Sequence, residues 1–102
     1  MKVKVKGHSY SLLNVESGKH EQNLNFIHKE KKEDSDELEV VSDGTTNEEV
    51  LEVLIDRMKY LQKRVPCREN EKAIEHLTMA LSQFNRRTAG RESRNVEGTE
   101  KE

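Results

Sequence analysis

Four arginines fall within nine residues near the carboxyl end of the chain: Arg86, Arg87, Arg91 and Arg94. On a helix Arg87, Arg91 and Arg94 are spaced i, i+4 and i+7, so their guanidinium groups line one face, with Phe84 a turn earlier on the same side. A guanidinium offers a planar fork of donors that matches two oxyanions and never deprotonates, so this face can grip phosphate. Basic residues also favour helix carboxyl ends through the macrodipole, but four arginines with Glu92 as the one intervening acid exceed that need. A second group is Arg57, Tyr60 and Arg64, where a tyrosine edged by cations could stack on a nucleobase. A half-covered interface tyrosine fits the same spacing. Asn70 presents both a donor and an acceptor, suited to a base edge or to hydrogen bonding at a helix start.

Other chemistries find less support. His8, His20, His28 and His76 lack paired ligand spacing, and Cys67 has no second thiolate beside it, so no metal is expected. Cys67 lies beside Arg68 near a helix start, which favours a thiolate, but no general base accompanies it. A small residue serving the helix start is the simpler reading. Glycine-rich phosphate loops are absent, and no cofactor is implied.

The elements that must position these residues read as α+β. Residues 2–6 alternate lysine and valine as a strand, Gly7 and His8 offer a turn, and 9–13 resume a weaker alternation. A third strand is expected over 22–30, where Leu24, Phe26 and His28 alternate, then a charged, solvated loop over 29–37, then a fourth strand over 38–42. Residues 1–43 are thus expected to form one small antiparallel sheet, too lean to stand alone.

Thr46 and Glu49 have the spacing of a capping box, which starts a first helix. Val50, Leu54, Met58, Leu61 and Val65, widened by Leu51 and Val53, form its expected apolar stripe, and Pro66 ends it. A second helix spans 67–94, with Asn70, Ala73, Leu77, Ala80, Phe84, Arg87 and Arg91 along one side, broadened by Ile74, Leu81 and Thr88. Gly90 is expected to weaken or bend it. So short a link makes the pair an antiparallel hairpin over 44–95, followed by a polar tail over 96–102.

Apolar residues are 31% of the 102 and charged residues 37%, lean for a self-sufficient core, so assembly with other copies is expected. A formal net charge of −2 gives no overall field toward nucleic acid or membrane, so any anion site is local. No hydrophobic run approaches the roughly 20 residues of a membrane span. The lone cysteine and the absence of an apolar leader core near Met1 fit a reducing cytoplasm. Asn70 and Arg87 lie seventeen residues apart on one helix, roughly 25 Å at 1.5 Å per residue. They can share a small ligand only if a second copy brings Arg87 and Arg91 toward Tyr60 and Asn70.

Several ordered stretches resemble a known family: 43–51 (Asp-Gly-Thr-Thr-Asn-Glu-Glu-Val-Leu), 66–70 (Pro-Cys-Arg-Glu-Asn), 87–94 (Arg-Thr-Ala-Gly-Arg-Glu-Ser-Arg) and 96–99 (Val-Glu-Gly-Thr). They are similar to the phage Thoeris anti-defence one family, whose helical hairpin is shared with phage anti-CBASS sponge proteins. The amino-terminal strands also resemble that family's small sheet. Asn95 departs from the glycine expected before Val96.

The resemblance implies a non-enzymatic phage sponge, assembled as dimers and then hexamers, acting in the host bacterial cytoplasm. It would sequester without cleavage cyclic ADP-ribose isomers made by TIR-domain enzymes, and cyclic di- and trinucleotides. Residue by residue, it gives Tyr60 an aromatic stacking role, Asn70 a polar role and Arg87 a phosphate-binding role. Arg57, Arg91 and Arg94 complete the expected ligand-binding set. The rival reading is a small nucleic-acid-binding regulator that uses the arginine-rich helix. No stable nucleic-acid or membrane partner is expected of a sponge.

Overall fold

A computed structural model describes residues 1–93 of the chain, with side chains described as far as Gly90. The architecture is α+β: five short strands followed by two helices. The chain divides after Thr46 into a strand-bearing unit and a helical unit.

In the first unit, β1 (Lys2–Val5), β2 (Ser9–Leu12) and β3 (Gln22–Asn25) form an antiparallel sheet in that order. Gly7, at φ 79°, supplies the left-handed residue of the β1–β2 turn, which the His8 N–H closes onto the Val5 carbonyl at 2.9 Å. Val3 faces Tyr10, and Tyr10 faces Leu24, giving one apolar row across three strands.

The expected third strand over 22–30 is two strands. β3 ends at Asn25, and β4 (His28–Lys31) belongs to a second, two-stranded sheet with β5 (Leu38–Ser42). The physical cause is the returning chain. Thr45 donates to the Asn25 carbonyl at 2.8 Å and accepts from the Ile27 N–H at 2.9 Å, so the backbone between β3 and β4 is taken by Thr45 as a parallel bridge at Phe26. One expected sheet is therefore two, and the expected loop over 29–37 shrinks to the turn after Lys31, where Asp34 holds φ 62°. Both sheets meet at a ring cluster. His8 and His28 stack with centroids 3.7 Å apart and planes 9° apart, and Phe26 meets Tyr10 edge-on at 6.1 Å.

In the helical unit, α1 (Asn47–Arg64) and α2 (Arg68–Ser93) pack as a hairpin. Thr46 stands immediately before α1, and Pro66 lies in the three-residue link. α2 runs without interruption through Gly90. The covered face of α1 carries Leu51, Ile55, Met58 and Gln62, with Leu61 beside them, and Ile55 is the one buried side chain among the described residues. This corrects the stripe drawn from the sequence: Val53 is 61% exposed, Leu54 41% and Val65 72%. On α2 the expectation holds better, since Asn70, Ala73, Ile74, Leu77, Ala80, Leu81, Phe84 and Thr88 are half-buried. Arg87, placed on that stripe by periodicity, is exposed. No helix among the described residues is long and apolar enough to cross a membrane.

Candidate ligand-binding surface

The link between the helices is tied by side chains. Gln62 Oε1 accepts from the Cys67 N–H at 3.0 Å, and Cys67 Sγ accepts from the Asn70 N–H at 3.4 Å, as an N-cap group does. Asn70 Nδ2 donates to the Val65 carbonyl at 3.4 Å. Cys67 therefore serves the helix start, and Asn70 holds the link to the first turn of α2.

Tyr60 projects from the side of α1 opposite its covered face and is 56% exposed. Arg64 lies one turn on, its Nη1 donating to the Tyr60 hydroxyl at 3.0 Å and its guanidinium carbon 5.7 Å from the ring centroid. Arg57 and Tyr60 line an open depression of about 570 Å³ together with Glu52, Val53 and Asp56. That volume lies in the range of small-ligand sites, yet every described lining residue belongs to α1. One helix face cannot enclose a ligand. The acidic members were not singled out from the sequence, although Glu52, Asp56 and Tyr60 follow at intervals of four and so share a helical line.

Arg87 stands toward the far end of the hairpin. α2 has 26 residues against 18 in α1, so its last two turns, with Arg86, Arg87 and the backbone of Arg91, have no counterpart along α1. Because α2 is unbroken, Asn70 and Arg87 are roughly 25 Å apart along it. The hairpin thus brings Arg57, Tyr60, Arg64 and Asn70 toward the link and leaves Arg87 and Arg91 at the opposite end. The Arg91 side chain, Arg94 and the polar tail lie outside the described residues.

Two of the histidines, His8 and His28, meet in the strand-bearing unit beside a cleft of about 290 Å³ shared with Phe26 and Asp43. Nothing local in the sequence marks that pairing, because twenty residues separate them. Among the described residues no three His, Cys, Asp or Glu side chains converge as a metal site would require.

Residues 21–89 match the family described as Acb2/Tad1, hairpin domain. Over 59 residues the chain is 46% identical to Thoeris anti-defense 1 of Bacillus phage SBSphiJ7, a match covering 57% of this chain and 42% of that protein's length. The family match takes in β3, the second sheet, all of α1 and α2 through Ala89, and by it the chain belongs to the Acb2/Tad1 hairpin domain family.

Proposed function

We propose that this protein is a phage anti-Thoeris sponge that holds cyclic nucleotide immune signals without cleaving them, in the cytoplasm of the infected bacterium. Cyclic ADP-ribose isomers are its expected ligands, with CBASS cyclic di- and trinucleotides as a further set. The name of the Bacillus phage relative supports the anti-defence setting. The observation that carries the binding reading is the open Tyr60 ring, with Arg57 beside it in the depression and Arg64 on its hydroxyl.

The remaining candidate residues fit the same reading through assembly. Arg87 lies too far from Tyr60 to reach the same small ring within one chain, and the depression is open on its outer side. A second copy that laid its Arg87 and Arg91 across Tyr60 and Asn70 would both complete and cover the site. Val53 and Leu54, exposed on α1, and Val65, exposed in the link, supply apolar area for such a partner. The sponge reading further expects dimers that associate into hexamers.

Calorimetric titration with cyclic ADP-ribose isomers and a panel of cyclic di- and trinucleotides tests this directly, followed by heating and chromatography of the released ligand. Saturable binding with intact recovery is the expected result, at a stoichiometry consistent with sites shared between subunits. Recovery of an altered ligand would make the protein an enzyme. Affinity that instead grows with polynucleotide length and falls steeply with salt would assign it to nucleic acid.

A further inference from the structure

In the sequence Arg57 and Arg64 look alike, two cations that flank Tyr60, but the fold gives them different places. Helical side chains lean toward the amino terminus, so Tyr60 leans over the turn that holds Asp56 and Arg57, and Arg64 reaches back to Tyr60 from the turn that follows. The contacts agree with that direction. Asp56, Arg57 and Tyr60 line the depression, and Arg64 is not among its described lining residues. Arg64 meets Tyr60 from the carboxyl-terminal side instead, its Nη1 donating to the hydroxyl at 3.0 Å. Its guanidinium carbon lies 5.7 Å from the ring centroid, close to the outer limit of about 6 Å for a cation on a ring. A cation held at the hydroxyl end and so far from the centre leaves the middle of the ring open to a stacking base.

We infer that Arg64 is a positioning residue for ligand binding: it acts through the Tyr60 hydroxyl and holds the ring ready for stacking, whereas Arg57 reaches the ligand directly. An aromatic side chain on a helix has two common χ1 states, and in an exposed residue it exchanges between them within picoseconds to nanoseconds. At 56% exposure Tyr60 has little packing to hold it in either. The hydroxyl is the far end of the ring, so a bond made there fixes the direction of the ring as a contact at its base would not. An ordered ring spares the ligand the cost of ordering it, a factor of about two to ten in affinity for one side chain. An exposed pair one turn apart contributes little to folding, so the effect of Arg64 belongs to binding rather than to stability. This inference rests on the sponge reading and adds to it a division of roles between the two arginines.

The test is a double-mutant cycle in the full chain, read by calorimetry with a cyclic ADP-ribose isomer and 3′,5′-cyclic di-AMP as probes, on variants that keep the wild-type assembled mass. Arg64→Ala and Tyr60→Phe should each weaken binding about two- to tenfold, and the double variant should bind no more weakly than the worse single one. Arg57→Ala should still cost its full factor in the Tyr60→Phe background. Additive losses from Arg64→Ala and Tyr60→Phe would overturn the inference, as would wild-type affinity in Arg64→Ala. The factor lost in Arg64→Ala should be the same at about 0.1 M and about 1 M salt. A factor that shrinks with the Debye length would make Arg64 a direct phosphate contact and end the positioning role. Ring relaxation of isotope-labelled tyrosine in the unliganded protein gives a reading that needs no binding: of the two tyrosines, Tyr60 should gain fast motion in Arg64→Ala and Tyr10 should not. Unchanged motion of Tyr60 would overturn the inference whatever the affinities. Binding of neither probe by the wild type would remove the sponge reading and the inference with it, whereas additive losses in a protein that binds would remove the inference alone.

Discussion

Asn70 Nδ2 donates to the carbonyl of Val65, so the amide that the sequence offers as a base reader is also a tie between the link and the first turn of α2. Its backbone N–H is held in turn by Cys67 Sγ. Replacing Asn70 by alanine is expected to lower the stability of the hairpin by about 1 kcal/mol, the usual net worth of one hydrogen bond. Urea unfolding without ligand measures it. No change would mean that water replaces the amide at no cost, and any loss of ligand affinity in this variant must be corrected for the stability it removes.

The core of the hairpin turns on one residue. Ile55 is 9% exposed and Leu54, its neighbour, 41%, although periodicity had placed Leu54 on the packed stripe. Truncation of Ile55 to alanine should cost about 2–4 kcal/mol, as for well-packed aliphatic side chains. Leu54→Ala should cost far less in folding, and its effect should appear in the assembled mass seen by light scattering if a second copy covers that flank. The reason the sequence misplaced the stripe is physical. α1 has apolar residues around a wide arc, from the covered Leu51, Ile55 and Met58 through the half-buried Val50 and Leu61 to the exposed Leu54 and Val53, and periodicity cannot say which part of that arc meets α2. In α2 the apolar residues other than the exposed Met79 fall on a single arc, and there the sequence reading and the fold agree except at Arg87. The helix boundaries were legible for a similar reason, since Thr46 and Pro66 are local start and stop signals.

Gly44 marks the place where local pattern failed in the strand-bearing unit. A Cβ built there would lie 2.5 Å from the Asn25 carbonyl oxygen and 2.5 Å from the Phe26 carbonyl carbon. Both are backbone atoms, which cannot swing aside. Gly44→Ala should therefore destabilise this unit by about 2 kcal/mol or more, in the upper range for overpacking. The amides of Phe26, Ile27 and Thr45, which join the chain here, should lose hydrogen-exchange protection first. The alternation through Leu24, Phe26 and His28 reads as one strand because nothing within nine residues shows that Thr45 will return to claim the backbone between them. Long-range pairing of this kind, like the stack of His8 on His28, has no short-range signature.

Arg87 separates the binding role from the folding role. It is exposed on α2, and no salt bridge holds it among the described residues, so its removal should leave the unfolding midpoint within about 0.5 kcal/mol of the wild type. If it meets a desolvated phosphate of a bound ring, Arg87→Ala should weaken binding by roughly 1.5–3 kcal/mol, the range for hydrogen bonds to charged groups. Arg87→Lys should recover only part of that, because an ammonium keeps the charge and loses the planar fork. Calorimetry on a variant shown to keep the native assembled mass reads both effects. Affinity unchanged in Arg87→Ala would take Arg87 out of the site and, with it, the need for a second copy to bring that residue to Tyr60. A mixed oligomer makes the geometry explicit: chains carrying Arg87→Ala combined with chains carrying Tyr60→Ala should regain a fraction of intact sites, since one wild-type Tyr60 can then face one wild-type Arg87. Such complementation is expected only where the two residues act from different copies.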